Sequence, residues 1–170
     1  MTRRRIAVIL TALALIGAGV LVWRIFFPGD KIRIIRTLEA AADAAGISSG
    51  ESPARAVVKL HRMEARLDAR IDCRLRFRRE SWNGVVERPQ VLSYIAALRK
   101  NGVRLKIKLS QFRVTVEGDS ARVEAEAQID AEAADGKWKN SWQEDVVFGL
   151  IRRDGEWLIS QVALRDFMEK

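Results

Sequence analysis

An uncharged, almost wholly apolar run from residue 6 to residue 23 constrains this chain more than any other stretch. Three arginines, Arg3, Arg4 and Arg5, come directly before it. At a rise of about 1.5 Å per residue, a helix of that length is roughly 27 Å long, close to the ~30 Å apolar core of a bilayer. The sequence therefore predicts a membrane anchor over residues 6–27, in contact with membrane lipid.

A cleaved secretory signal peptide is the alternative interpretation of the same run. Signal peptides also begin with positive charge, but their apolar region is only about 7 to 15 residues long and ends at a small-residue cleavage site. Cleavage after Ala18 or Val20 would leave a strongly apolar new terminus. Trp23 and Arg24 are instead typical of the membrane interface, where amphipathic rings and long cationic side chains reach the headgroups. The pattern favours a retained anchor.

The distribution of arginine sets the expected topology. Positive charge accumulates on the cytoplasmic side of membrane spans, and three arginines lie directly against the start of this one. Arg24 and Lys31 on the other flank dilute the asymmetry without reversing the preference. We expect residues 1–5 to be a cytoplasmic tail on a single-pass protein of the inner (cytoplasmic) membrane, with the C-terminal domain extracytoplasmic. The single cysteine, Cys73, fits either compartment because it has no intrachain disulfide partner.

Residues 31–170 form a segment long enough for one domain with a real core. Removing Arg3, Arg4, Arg5 and Arg24 from the 30 Lys and Arg, and Asp30 from the 22 acidic residues, leaves a net charge of +5. Aromatic residues do not alternate with the cations, so we expect no nucleic-acid partner. The chain also has no Cys or His cluster with metal-ligand spacing and no Gly-rich phosphate loop, so we expect no metal and no cofactor.

Three stretches of residues 31–170 have helical periodicity. The first begins near Lys31 and ends at Gly46, with an apolar face of Ile35, Leu38, Ala42 and Ala45. The second begins at Ser52-Pro53, an N-cap followed by proline, and its predicted inward face is Val57, Leu60, Glu64 and Leu67. The third opens at Pro89 and closes at Asn101-Gly102.

Elsewhere the apolar period changes to two, which indicates strands. Alternation marks residues 71–77, and residues 103–133 form a pair of strands around a Gly118-Asp119 turn. In the first strand of that pair the apolar positions switch from odd to even, while its partner keeps one parity. A one-residue bulge near Ser110 or Gln111 is therefore required. The resulting register places Arg113 opposite Glu124.

Two further turns, at Asp135-Gly136 and Asp154-Gly155, predict strands around residues 138–152 and 156–167. The total is about three helices and five strands, four of them in an antiparallel meander. Helices that precede a meander indicate the α+β class.

This arrangement resembles the NTF2-like superfamily, whose members include SnoaL-like and ketosteroid isomerase-like proteins. The resemblance covers roughly Ile32 to Leu164 and depends on two segments. The first is residues 84–98, an acidic-basic pair followed by a Val-Leu-x-x-Ile-x-x-Leu helix; the second is residues 146–159, a strand, an Asp-Gly turn and a Trp-containing strand. The resemblance implies a curved antiparallel sheet wrapped around about three N-terminal helices, behind the transmembrane helix. It also implies a conical cavity that holds catalytic or ligand-binding residues in some members.

Candidate site residues follow from that expected cavity. A carboxylate or imidazole in an apolar cavity can acquire the pKa that proton transfer needs. Glu144, Tyr94 and His61 are the catalytic candidates, although general acid and base catalysis normally uses two positioned groups. Tyr94, Trp142 and Phe148 are candidates to line a ligand pocket.

The last hairpin suggests a protein partner instead. Val147, Ile151, Leu158, Val162 and Leu164 are expected on the sheet face opposite Val146, Phe148, Leu150 and Ile159. An apolar outer face needs a cover, which a homodimer, an envelope protein partner or residues 166–168 would supply. We therefore expect a non-enzymatic protein-interaction or assembly module. The alternative is a small apolar ligand-binding protein or an isomerase-like or hydrolase-like enzyme that uses the cone.

Overall fold

The computed structural model describes residues 29–77 and 80–165. The expected cytoplasmic tail and the anchor at residues 6–27 lie outside these ranges, as do residues 166–168. Within the ranges described, no helix is both long and apolar enough to cross a bilayer.

The described residues form three helices and six strands, which agrees with the expected α+β class. The helices are α1 (Asp30–Ala45), α2 (Pro53–Glu64) and α3 (Arg88–Lys100), and the strands are β1 (Leu67–Phe77), β2 (Glu80–Glu87), β3 (Arg104–Glu117), β4 (Ser120–Glu132), β5 (Lys139–Arg153) and β6 (Glu156–Leu164). They make one sheet in the order β2-β1-β6-β5-β4-β3. Only the β1–β6 pairing is parallel, and the predicted β3 to β6 meander is confirmed. Strand β2 was not predicted, because residues 80–87 lack a clean apolar alternation.

Helix α1 fills the concave side of the sheet. Ile34 is 0% exposed and Leu38 is 1% exposed, and both belong to the same core cluster as Val123 from β4 and Leu150 from β5. The helix ends as predicted at Gly46, whose amide donates to the carbonyl of Ala42 at 3.0 Å. Leu38 and Ala45 are buried as predicted, whereas Ile34 and Ala41 are buried in place of their half-buried neighbours Ile35 and Ala42.

Helix α2 begins as predicted but buries a different face. Ser52 Oγ accepts a hydrogen bond from the Arg55 amide at 3.3 Å, which is the expected N-cap. The buried residue of the helix is Met63, whereas Val57 is 66% exposed, so the prediction that Val57 faces inward was wrong. Leu60 is half-buried, and Leu67, which begins β1, is buried as predicted. An ion pair of 2.9 Å between Lys59 and Glu51 turns the Lys59 side of the helix inward, which is a tertiary contact that periodicity does not reveal.

The predicted bulge in β3 is confirmed. Ser110 pairs with Glu126 and Arg113 pairs with Glu124, so two residues of β3 oppose one residue of β4. Gln111 occupies the bulge with φ of 56°, in the left-handed region. The predicted Arg113–Glu124 pair forms at 2.7 Å. The bulge keeps the apolar side chains of both strands on the concave face.

We expect Gln111→Val to destabilise the domain by about 1–2 kcal/mol, because a β-branched side chain is strained in the left-handed region. Urea unfolding of the full chain in detergent, followed by circular dichroism, measures the change. Gln111→Gly is the matched control, since glycine tolerates this φ and loses only the exposed bond to Glu126. An equal loss in both variants would show that the side-chain bond, and not the backbone conformation, matters.

A second bulge, in β6, corrects the predicted arrangement of the last hairpin. Leu150 pairs with Ile159 and Gly149 pairs with Gln161, so Ser160 is the extra residue. The parity of β6 therefore changes after Ser160. Val162 and Leu164 pack against the core, and the prediction that they share the outer face with Val147 was wrong.

Candidate functional site

The three catalytic candidates lie on three different elements. The side chain of His61 on α2 is 83% exposed, with Nδ1 3.6 Å from Glu64 Oε2. Tyr94 on α3 is 51% exposed. Glu144 is exposed near the start of β5, opposite Ala127. All three side chains are in contact with solvent. None of them lies in the buried apolar environment that was expected for a proton-transfer group.

The three pocket candidates are also dispersed. Phe148 is buried in the core, between its cross-strand neighbours Val123 and Val162. Trp142 shares that sheet face and is half-buried opposite Ile129. It lies six residues from Phe148 along β5, which is roughly 20 Å in a strand. Phe148 is therefore a packing residue, and Trp142 lies at a different level of the sheet.

The four interface candidates differ in exposure. Val147 is 1% exposed, so the folded chain already covers it. Ile151 and Leu158 are half-buried neighbours across β5 and β6. Val162 packs against the core. Ile151 and Leu158 are thus the members of the set that lie on the outer face and remain partly accessible.

The structure brings together a buried ionic cluster that the sequence did not predict. Glu51 lies in the loop after α1, Lys59 on α2 and Arg99 on α3, and their side chains are 6%, 14% and 8% exposed. Arg99 Nε donates to Glu51 Oε2 at 3.0 Å. Lys59 Nζ lies 2.9 Å from Glu51 Oε1, an ion pair that is not aligned as a hydrogen bond. We call these three residues the Glu51 cluster.

The two cations of the Glu51 cluster also hold the end of α1. Arg99 Nη2 donates to the carbonyl oxygens of Ala44 at 2.7 Å and Gly46 at 3.2 Å. Lys59 Nζ donates to the same Gly46 oxygen at 2.9 Å. Cations are favourable at a helix C-terminus, where the last carbonyl groups have no partner within the helix. The cluster therefore joins all three helices.

The charges in this cluster determine the ionisation of Glu51. Burial raises the pKa of its carboxyl group, but the close contact with Lys59, the hydrogen bond from Arg99 and the positive charges of both residues outweigh burial, so the pKa lies below its ordinary value of 4.5. Glu51 is therefore ionised in the folded domain at neutral pH. The only sequence signal was a single acidic residue in a stretch rich in Ser and Gly, which resembled an ordinary linker.

A cleft of about 460 Å³ lies beside the Glu51 cluster, between residues 47–53 and the connection from α3 to β3. We call it the loop cleft. Its polar lining is Ser48, Ser49, Glu51, Arg99, Lys100 and Arg104. Its apolar lining is Ile47, Pro53, Ala56, Val103 and Ala134. Glu51 is the acidic residue of this lining, and it is already paired with Lys59 and Arg99. The other lining side chains are cationic, hydroxyl-bearing or apolar.

A second cleft, of about 370 Å³, lies beside residues 143–145 of β5 and the end of β6. Its acidic lining residues are Glu126, Glu144 and Asp145, with Arg165 Nη1 3.7 Å from Asp145 Oδ2. Among the residues that the structure describes, no group of His, Cys, Asp and Glu side chains could hold a metal ion.

Cys73 is the buried free thiol of the core. Burial raises the pKa of this thiol, and the negative charge of Asp72 raises it further. A thiol with a raised pKa carries little thiolate at neutral pH and is a poor nucleophile. We therefore assign Cys73 to packing.

A family model for the SnoaL-like domain matches residues 60–164. This chain belongs to the SnoaL-like domain family. The match covers most of the chain, and the order of helices and strands around the curved sheet agrees with the expected NTF2-like fold. No curated protein is significantly similar to this SnoaL-like protein in sequence.

Solved structures similar to the SnoaL-like domain have low sequence identity to it. A Mycobacterium tuberculosis protein of unknown function has a TM-score of 0.59 and 18% identity, over 80% of this chain and 75% of that chain. A candidate scytalone dehydratase from Novosphingobium aromaticivorans has a TM-score of 0.62 and 10% identity, over 80% and 83%. A candidate aromatic ring hydroxylase from the same organism has a TM-score of 0.62 and 18% identity, over 79% and 87%. At these identities the likeness shows the fold alone.

Proposed function

We propose that this SnoaL-like domain is a non-enzymatic interaction module, held outside the cytoplasm by residues 6–27 and binding a protein partner. Support for a non-catalytic role comes from the interior of the cone. Side chains of α1 occupy the concave face and pack directly on those of β4 and β5. The three ionisable candidates, Glu144, Tyr94 and His61, are exposed on separate elements.

The observation that carries the proposal is a pair of solvent-exposed valines on α2. Val57 is 66% exposed and Val58 is 50% exposed. Valine lowers helix propensity, and at an exposed position it gains nothing from burial. Folding of this domain therefore does not account for two successive valines here, whereas a partner that covers them would. We therefore propose α2 as the interface, instead of the sheet face expected from the sequence.

The start of α1 supports the proposed tether. Asp30, its first residue, pairs with Arg152 Nη1 at 3.2 Å, and Arg152 Nε also pairs with Asp119 Oδ1 at 2.9 Å. The chain thus enters the domain at a pole formed by the β3–β4 and β5–β6 turns. Ile32, on the first turn of α1, is 48% exposed at this pole. An anchor ending two residues before α1 would bring that apolar side chain close to the lipid headgroups.

Photo-crosslinking in the producing cells tests both parts of the proposal. With a photoreactive residue at position 57 of the full chain, we expect one dominant protein adduct, which stays in the membrane fraction after alkaline carbonate washing. Lys108 on the sheet is the matched control position, since it is exposed but lies on another surface. Val58→Asp in the same chain should lower the adduct yield about tenfold or more, because a buried carboxylate would oppose contact.

Equal adducts from positions 57 and 108 would contradict the α2 interface. Recovery of the protein in the soluble fraction, with an amino terminus beyond residue 20, would contradict the tether.

A second candidate function is binding or turnover of a small apolar ligand in the cone. Two structural neighbours, the candidate dehydratase and the candidate hydroxylase, bear enzyme names, although they share only the fold with this chain. Half-buried Trp142 and exposed Glu144 lie on the same sheet face, in the first half of β5. A ligand that copurifies with the full chain and is lost in Trp142→Ala would favour this function.

A further inference from the structure

Arg99, which lines the loop cleft, has one buried donor that no described residue satisfies. Arg99 is 8% exposed, and its Nη1 is buried without a hydrogen-bond partner among the described residues. The Nε and Nη2 groups of the same guanidinium are satisfied by Glu51 and by the end of α1. A buried donor without an acceptor costs free energy, so an acceptor beside Nη1 would be favourable.

The buried charges of the Glu51 cluster also favour an anion, because positive charge is in excess. Lys59 and Arg99 are two cations, and among the described residues Glu51 is the one carboxylate paired with them. The carbonyl groups at the end of α1 offset part of the excess, since a helix C-terminus carries about half a negative charge. The positive charge that remains favours binding of one monoanion. A dianion would bring more negative charge than the cluster can neutralise.

The cleft offers an entry and a place for an apolar group. Lys100 is exposed, and the Arg104 side chain is 42% exposed although its Nη1 donates to Glu132 Oε1 at 3.4 Å. Both long side chains line the cleft and can reorient toward a bound anion. Opposite them lie the apolar side chains of Ile47, Pro53 and Ala134. A volume of about 460 Å³ suits a small molecule.

The wall of the cleft is fixed before any ligand arrives. The Ile47 amide donates to the Leu105 carbonyl at 2.7 Å, and the Leu105 amide donates back at 3.0 Å. This bridge attaches the loop to the start of β3. A preformed wall reduces the ordering cost of binding.

We propose that the loop cleft binds the carboxylate of a small organic acid that carries a short apolar group. Arg99 Nη1 donates to the carboxylate, Lys100 or Arg104 supplies a second positive contact, and the apolar lining receives the tail. The cleft borders the proposed interface, because Pro53 and Ala56 of α2 line it. The contacts proposed for the acid use neither Val57 nor Val58, so the proposal does not depend on the proposed function.

Titration of the full chain in detergent with butanoate, at constant ionic strength, tests the proposal. Amide signals of residues 47–52 and 99–104 in two-dimensional NMR spectra should shift saturably. Butanamide, the neutral analogue of the same shape, should bind at least about tenfold more weakly, since it lacks the charge-assisted bond. Inorganic phosphate should also bind more weakly than butanoate, because it lacks the apolar group and carries excess charge.

Two variants assign the effect to the cleft. Lys100→Gln should weaken butanoate binding about threefold, the usual effect of one exposed charge. Lys108→Gln makes the same change in charge on the sheet and should leave binding unchanged. Arg99→Met should abolish butanoate binding, provided that circular dichroism shows the variant to be folded. If the Arg99 variant does not fold, the Lys100→Gln result decides the test.

Three results would overturn the proposal. Absence of saturable shifts with butanoate would show that the cleft does not bind a small carboxylate. Equal affinity for butanoate and butanamide would show that the carboxylate is not recognised. Tighter binding of phosphate than of butanoate would show that the cleft takes an inorganic anion and not an organic acid.

Discussion

Trp157→Ala should destabilise the domain by about 3–5 kcal/mol, the usual cost of deleting a buried aromatic side chain and leaving a cavity. Trp157 is 1% exposed and belongs to the core between α1 and the sheet. Its Nε1 donates to Asp30 Oδ1 at 3.3 Å, and the Arg152 guanidinium lies 5.0 Å from the ring centroid. The loss is a large share of the roughly 5–15 kcal/mol that stabilises a typical domain.

Urea unfolding of the full chain in detergent, followed by circular dichroism, measures this loss. Trp138→Ala is the matched control, since the same side chain is 43% exposed there and its removal should cost less than about 1 kcal/mol. Trp157→Phe retains most of the apolar contact and should cost about half as much as the alanine variant. A phenylalanine variant as unstable as the alanine variant would show that the bond to Asp30, and not core packing, is the main contribution.

Glu51→Ala should destabilise the domain by about 3 kcal/mol or more, because removing one member of a buried ionic group leaves the others uncompensated. Arg99 and Lys59 would remain as neighbouring cations beneath the surface, in contact with Gly46. The substitution should lower the urea concentration at the unfolding midpoint. The slope of the unfolding free energy against urea concentration should not change, since the same fold unfolds. Glu124→Ala is the control. Glu124 makes an even shorter ion pair with Arg113 at 2.7 Å, but the Arg113 side chain is 75% exposed, so the pair should be worth less than about 1 kcal/mol.

The pH dependence of stability provides a separate check on Glu51. Its pKa is lowered in the folded domain, so its ionisation stabilises the fold at all pH values above 4.5, the ordinary value that applies in the unfolded chain. That contribution is lost as the pH falls below 4.5 and through the folded-state pKa. The difference in unfolding free energy between the unaltered chain and Glu51→Gln should therefore be constant near neutrality and shrink in acid. A difference that grows as the pH falls would contradict the assigned ion pairs.

Patterns that are local in sequence predicted most of the elements. The Ser52-Pro53 start of α2, the Gly46 end of α1 and the turns at Gly118 and Asp154-Gly155 depend on the conformational limits of single residues. The bulge at Gln111 was also predictable. The apolar positions change parity in β3 but not in its partner β4. Only a one-residue bulge keeps the apolar side chains of both strands on the same face.

The β6 bulge shows where such patterns fail. Ile159 and Val162 are both apolar and three residues apart, so the sequence is compatible with either face and does not show where the parity changes. The pairing with β5 decides it, because Phe148 and Leu150 already face the core. The predicted outer face therefore included two residues, Val162 and Leu164, that the sheet buries.

What the amino-acid sequence by itself determined is the α+β class, the order of helices and meander strands, the turns and the β3 bulge, since each depends on contacts or dihedral limits of neighbouring residues. Only the tertiary structure decided which faces of α2 and β6 are buried and that Glu51 lies with Lys59 and Arg99. Glu51 and Arg99 are 48 residues apart in sequence, and no local pattern encodes their proximity. It arises because the end of α1 must be closed by donors, and packing of the three helices brings those donors from α2 and α3.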